Sequence, residues 1–207
     1  MRILALDIST SAGWAILDGP RDAGVLPKII DKGLVKNPRK VREHGEYPWS
    51  YKHAADWLAD ELFSVASRNA HLGIELVVIE ETNGSKSRYT QKILEYIHKA
   101  TLDRFEGYTV AYVDTREWRS VLGCLLSKEQ KKLNQKLAKA KREATAMGLT
   151  VDKKALGIKG KVTKKHVAIN WANEHWGLSL KAKDDDIADA LCVGTAYLWH
   201  AKLSDGT

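Results

Sequence analysis

The chain opens on an apolar run, residues 2–7, that ends in an acid, Asp7. A short polar turn over 9–13 follows, residues 14–17 return as a second strand, and 29–35 offer a third after a Gly/Pro-rich loop. Short apolar runs separated by turn residues predict an antiparallel meander of three strands. Residues 48–69 predict a long helix, because Trp57, Leu58, Leu62, Val65 and Ala66 recur at three- and four-residue spacing. Leu76-Val77-Val78-Ile79 is a continuous apolar run of strand length within 75–80, and it too ends in an acid, Glu80. A helix over 92–105 puts Ile93, Tyr96, Ile97 and Ala100 on one face. A fifth strand over 109–113 runs into Asp114-Thr115, a helix cap, and a short helix over 117–122. A long basic helix over 128–147, a Lys/Gly-rich loop over 148–162, and helices over 167–176 and 187–201 complete the pattern.

Three meander strands, a helix, then strand–helix–strand predict an α/β fold: a mixed five-stranded sheet flanked by helices. With 207 residues the chain is long enough for one sizeable core and short for two. No linker or internal repeat divides it, so a single domain over 1–207 is expected, with a basic helical insertion at about 125–162 on its surface.

Composition sharpens this picture. Hydrophobic residues make up 44%, as in a folded chain. No run of about 18 apolar residues exists to span a bilayer. The opening residues are too short an apolar run for a signal peptide. Cys124 and Cys192 are far apart in sequence and outside any CxxC spacing. They read as reduced, partly buried thiols of an intracellular protein. The net charge of +7 is unevenly placed. Residues 128–165 hold 13 Lys or Arg against 3 acids, a net of +10, and the remainder is net −3. A basic stretch on a near-neutral body suits a phosphate-binding surface, although a solvated amphipathic helix would look the same.

The acids carry the chemistry. Singly, an Asp closing a strand is a turn residue, a Glu after a buried strand is a return to solvent, and Asp184 and Asp185 complement a helix dipole. Asp189 resists such a reading, since it lies among Ile187, Ala188, Ala190 and Leu191. Asp186 and Asp189 share a helix face, where two carboxylates repel each other unless a cation lies between them. If the first and fourth strands are neighbours, Asp7 and Glu80 project side by side at the sheet end. A last helix laid across that end would bring Asp186 and Asp189 into reach. Two metal ions about 4 Å apart need such converging carboxylates, and magnesium and manganese prefer oxygen ligands.

Three segments in this order, Leu6-Asp7-Ile8-Ser9-Thr10-Ser11-Ala12-Gly13-Trp14-Ala15, Val78-Ile79-Glu80-Glu81 and Asp186-Ile187-Ala188-Asp189-Ala190-Leu191, resemble the RuvC-like Holliday junction resolvases, particularly the phage type, of the ribonuclease-H-like superfamily. Lys164-Lys165-His166-Val167 also resembles the basic helix that precedes their catalytic one. The resemblance covers nearly the whole chain outside the basic insertion. It implies a metal-dependent endonuclease that cuts branched DNA at a four-way junction by two-metal phosphodiester hydrolysis. Asp7, Glu80, Asp186 and Asp189 would be the catalytic metal ligands, holding two Mg2+ ions, or Mn2+ in their place, with Glu81 and Asp185 as second choices. Lys131, Lys132, Lys136, Lys139, Lys141 and Arg142 on the long helix would hold DNA, with Lys161, Lys164 and Lys165 nearer the catalytic end. A homodimer acting in the cytoplasm, that of a bacterial host for a phage protein, is also implied. Two positions differ from the family: Ser9 stands where a Gly is usual, and Asn83 stands where some members carry a wedging aromatic. Tyr89 could substitute, though it reads first as an ordinary packed tyrosine.

Other readings use the same residues. Asp7-Ile8-Ser9-Thr10-Ser11 is also like the first phosphate-binding turn of actin-like ATPases and sugar kinases. Those need two such domains around the nucleotide, and this chain offers one. A non-catalytic nucleic-acid-binding module would carry an anionic cluster as a liability. An RNase-H-like nuclease acting on flaps or RNA–DNA hybrids would share the same ligand set, because the substrate groove sets specificity.

Overall fold

The computed structural model describes residues 1–81, 87–150 and 160–204, the last four of these by their helical backbone. Five strands form one sheet: β1 (Arg2–Ile8), β2 (Ser11–Asp18), β3 (Lys28–Lys36), β4 (Leu76–Glu81) and β5 (Val110–Asp114). Their order is β3-β2-β1-β4-β5. The first three pair antiparallel as the expected meander, while β4 pairs parallel with both β1 and β5. Six helices flank the sheet: α1 (Trp49–Arg68), α2 (Arg88–Arg104), α3 (Thr115–Val121), α4 (Lys128–Ala146), α5 (Lys164–Trp176) and α6 (Asp185–Ser204).

The strand period of two sorts side chains to the two faces. Leu4, Leu6, Ile8, Val77 and Ile79 pack against α1 and α2. Ile3, Leu76 and Val78 pack on the other side, against α3, α5 and α6. Asp7 and Glu80 continue the second set by parity, so they face α6. Glu81, one position on, falls to the opposite face and is exposed.

Helix α6 is buried along most of its length, with Ala188, Ala190, Leu191, Cys192, Val193 and Leu198 fully covered. An all-round apolar helix belongs in the middle of a core. Two glycines let it lie flat on the sheet. A Cβ on Gly194 would come 2.8 Å from the Ala5 Cβ and 2.7 Å from Leu17 Cδ1. A Cβ on Gly13 would come 1.9 Å from the Asp186 carbonyl oxygen. Gly13 pairs directly with Asp7 across β1 and β2. The tightest contact between helix and sheet is therefore beside the first acid.

Several elements begin earlier than their apolar periodicity suggests, because polar caps rather than apolar residues set their starts. The Ser87 hydroxyl accepts from the Thr90 N–H, so α2 starts at Arg88 rather than at 92. The Thr163 hydroxyl accepts from the His166 N–H, so α5 starts at Lys164 rather than at 167. The stretch 9–13, expected to be turn throughout, is strand from Ser11 onward. Of the expected loop over 148–162, residues 151–159 lie outside those described. The two thiols, far apart in sequence and expected to be partly buried, are both fully buried and hydrogen-bonded to each other.

Candidate active site

Three carboxylates from three elements meet at one end of the sheet. Parallel pairing of β1 and β4 runs through Leu6 opposite Ile79, so the next residues along, Asp7 and Glu80, emerge together. Asp189 comes down from the second turn of α6. One carboxylate oxygen from each of Asp7, Glu80 and Asp189 lies within 4.8 Å of the other two. All three are buried, at 7%, 6% and 3% exposure.

Such crowding is costly without a cation. At that separation two ionised carboxylates repel by roughly 3 kcal/mol at an effective dielectric near 20. Protonation is the response of the metal-free site. Burial pushes Asp7 well above the usual carboxylate range, and the charges of Glu80, Asp189 and Asp186 push it further. Asp7 also hydrogen-bonds Glu80. Burial raises Asp189 to about 7, against the downward pull of Arg119 and with the added push of Glu80.

Two residues of α3 hold this arrangement in place. The Trp118 indole N–H donates to Glu80 Oε1 at 2.8 Å. Arg119 donates from Nη2 to Asp189 Oδ2 at 3.1 Å and from Nη1 to the Lys164 carbonyl at 3.2 Å. Its guanidinium lies 4.0 Å from the centre of the Trp118 ring. Arg119 is 4% exposed, so this is a buried ion pair. Neither residue stands out in the sequence. The available signal is an arginine next to a tryptophan in a short helix that follows a sheet strand.

Asp186 is close but differently engaged. Its Oδ2 accepts from the Ser11 hydroxyl at 2.6 Å and its Oδ1 from Lys165 Nζ at 3.0 Å. Lys165 also pairs with Asp185 at 2.6 Å. Burial would lower the Lys165 pKa, but its bonds to Asp185 and Asp186 outweigh that and raise it. The structure therefore gathers Asp7, Glu80 and Asp189 as one donor set and places Asp186 beside it, held by Ser11 and Lys165. Glu81 faces away, and Asp185 is tied to Lys165.

This donor set fits a hard divalent cation. Its atoms are carboxylate oxygens, and Asp189 Oδ1 is buried with no hydrogen-bond partner. Arg119 supplies one positive charge against three carboxylates, which leaves room for a dication. Magnesium and manganese take such oxygen ligands.

The cations named from sequence fall into two groups. Lys131, Lys132, Lys136, Lys139, Lys141 and Arg142 are all exposed on α4. By helical spacing all of them except Lys141 share one face, opposite Leu133 and Leu137. Lys139 lies 3.9 Å from Glu143. Asn134 exchanges two hydrogen bonds with the Val162 backbone, at 2.7 and 3.1 Å, which ties the approach to α5 onto α4 and keeps Lys161 near that face. Lys164 and Lys165 then lead into the acidic site, Lys164 through the carbonyl that Arg119 holds. Asn83, the position of the family's wedge, lies outside the described residues. Tyr89, read as a packed tyrosine, is 52% exposed and rests edge-on against Tyr51. No described helix is long and apolar enough to cross a membrane.

No protein-family profile matches the chain, and no curated protein matches it in sequence. Among solved structures it is similar to Thermus thermophilus RuvC. Against that protein in complex with Holliday junction substrate the TM-score is 0.62 at 13% identity, over 98% of this chain and 96% of that one. Against a second Thermus thermophilus RuvC structure it is 0.61 at 14% identity, over 99% and 97%. The yeast mitochondrial Holliday junction resolvase Ydc2 gives 0.54 at 11% identity, over 99% of this chain and 81% of that one. At these identities the likeness is one of fold. The mixed sheet and its flanking helices are the ribonuclease-H-like fold that RuvC shares.

Proposed function

We propose that this chain is a divalent-metal-dependent endonuclease that cuts four-way DNA junctions. The observation that carries the reading is the convergence of Asp7, Glu80 and Asp189 within 4.8 Å at the end of a ribonuclease-H-like sheet. The similar fold of a protein solved with Holliday junction substrate supports branched DNA as the substrate class.

Asp7, Glu80 and Asp189 would hold the cation, with Asp186 as the fourth carboxylate at its edge. Magnesium or manganese bound there, as two ions in the full site, supplies Lewis acidity toward the attacking water and the leaving oxygen of the phosphodiester. The rest falls to the chain's own groups. Trp118 fixes the orientation of Glu80 through its indole N–H. Arg119 keeps Asp189 aimed inward and draws the start of α5 against the site. Ser11 and Lys165 hold Asp186 ready and offset its charge. The cations of α4 and of the run into α5 would bind the phosphates of the junction arms, Lys161, Lys164 and Lys165 nearest the cut. A junction offers two equivalent strands, so a two-fold homodimer is the natural working unit. Its place of action would be the cytoplasm, where such junctions form.

The test is a cleavage assay on four-way junction, flap, duplex and RNA–DNA hybrid with magnesium or manganese. Paired nicks in the junction, lost in Asp189→Asn, are expected. Cutting of hybrid or flap in preference to junction would reassign the substrate, and no metal-dependent cutting of any of the four would overturn the nuclease reading.

A further inference from the structure

Beside the acidic site, but on the other face of the sheet, lies a pocket of about 350 Å³. That is within the size range of small-molecule sites. Its floor is apolar, made by Ala54 and Leu58 of α1 and Ile93 of α2. Its rim is cationic, with Lys36, Arg39 and Lys40 at the end of β3 and just beyond it. Asn37 adds an amide. Among the described residues none of these three cations forms an ion pair with a carboxylate. Thr10 and Ser11 close the side toward the active site. Ser11 is the residue whose hydroxyl holds Asp186, so the pocket and the acidic cluster share the β1–β2 turn as a common wall.

The remaining wall is aromatic. Tyr89 stands half exposed, its ring 5.2 Å from that of Tyr51 and hydrogen-bonded to it. Tyr51 is buried and is packed edge-on by Tyr47 and Tyr96 as well. Tyr89 therefore has a fixed base and a free face. It also borders a second, open groove that carries Arg88 and Lys92. An apolar floor, an aromatic wall and a phosphate-attracting rim together fit one chemistry: a nucleotide taken out of its stack, base inward and phosphates on the cations.

We propose that this pocket receives an unstacked nucleotide of the DNA strand held in the acidic site, next to the phosphate being cut, with Tyr89 as its stacking platform. The inference rests on the nuclease reading and adds to it a nucleotide subsite on the opposite sheet face. It also gives Tyr89 a role other than core packing.

The test uses the full chain carrying Asp7→Asn to prevent cutting, and four-way junctions with 2-aminopurine placed in turn at each position around the exchange point. Binding should change the emission at a position flanking that point. The change should vanish when Tyr89→Ala removes the platform or Ala54→Phe fills the floor, with the junction still bound. Tyr89→Ala should weaken binding roughly five-fold or more, the lower end of what one base–aromatic stack contributes. Its salt dependence should stay the same, because a stack releases no counterions. Emission changes that persist unaltered in the variants, or bound junction with no emission change anywhere, would overturn the pocket and leave the nuclease reading standing. Failure to bind or cut any junction would overturn both. Should Ala54→Phe not fold, Tyr89→Ala, which alters an exposed side chain, decides the matter alone.

Discussion

Replacing Arg119 with leucine removes the one protein cation that faces the acidic cluster from within the core. The Arg119–Asp189 pair is 3.1 Å apart with side-chain exposures of 5% and 4%, so solvent screens it little. Its attraction is about 5 kcal/mol at an effective dielectric of about 20. Breaking such a buried pair by deleting one partner costs about 3–5 kcal/mol, because the other charge is left stranded. Urea unfolding in the absence of metal, at about pH 8, should show that loss. The cost should depend on the charge of Asp189, whose folded pKa is about 7. At about pH 5.5 that carboxyl is protonated in both proteins, and the loss should fall to roughly 1–2 kcal/mol of hydrogen bonding and packing. A double-mutant cycle with Asp189→Asn at the higher pH should return a coupling of roughly 2–3 kcal/mol. Additivity of the two substitutions within about 0.5 kcal/mol, or a cost that ignores pH, would refute the pairing.

Three further outcomes follow from the same geometry. Asp189 is raised to about 7 in the folded protein, above about 3.9 in the unfolded chain, so the metal-free protein should lose stability as pH rises through that window. Divalent metal should therefore raise Tm more at about pH 8 than at about pH 5.5 in thermal melts, and equal shifts would contradict the assignment. Gly13→Ala should push the start of α6 off the sheet and reduce metal-dependent cutting far more than it reduces DNA affinity, measured by cleavage and anisotropy side by side, since the added Cβ would meet the Asp186 carbonyl at 1.9 Å. Neutralising Lys132, Lys136 and Lys139 together should flatten the log–log salt dependence of junction binding by about 0.9 for each phosphate that these lysines neutralise, and an unchanged slope would remove this face of α4 from the interface.

Much of the site was legible in the sequence because it lies on regular strands. Asp7 and Glu80 each end an apolar run, and a period of two with parallel neighbours puts both on the face of the last helix. Asp189 was visible as an acid among apolar helix positions. What escaped depends on distant packing. Trp118 and Arg119 look like any short amphipathic helix until α3 is placed under the end of β4. Gly13 looks like part of a turn, and its need for a missing side chain appears only when α6 is laid against it. Lys165 belongs by sequence with the DNA-binding cations, yet its ammonium lies on Asp185 and Asp186. Sequence charge alone cannot tell a lysine facing phosphate from one that balances a neighbouring carboxylate. Helical spacing puts Asp186 with Asp189, but Ser11 and Lys165 hold its carboxylate at the edge of the cluster.

A structure of the protein grown with manganese, with anomalous scattering used to find the metal, tests the cation site most directly. A manganese peak ligated by Asp7, Glu80 and Asp189, absent when Asp189 is replaced by Asn, is the expected result. Well-ordered crystals at millimolar manganese with these three carboxylates protonated and bonded to one another, and no peak between them, would contradict it.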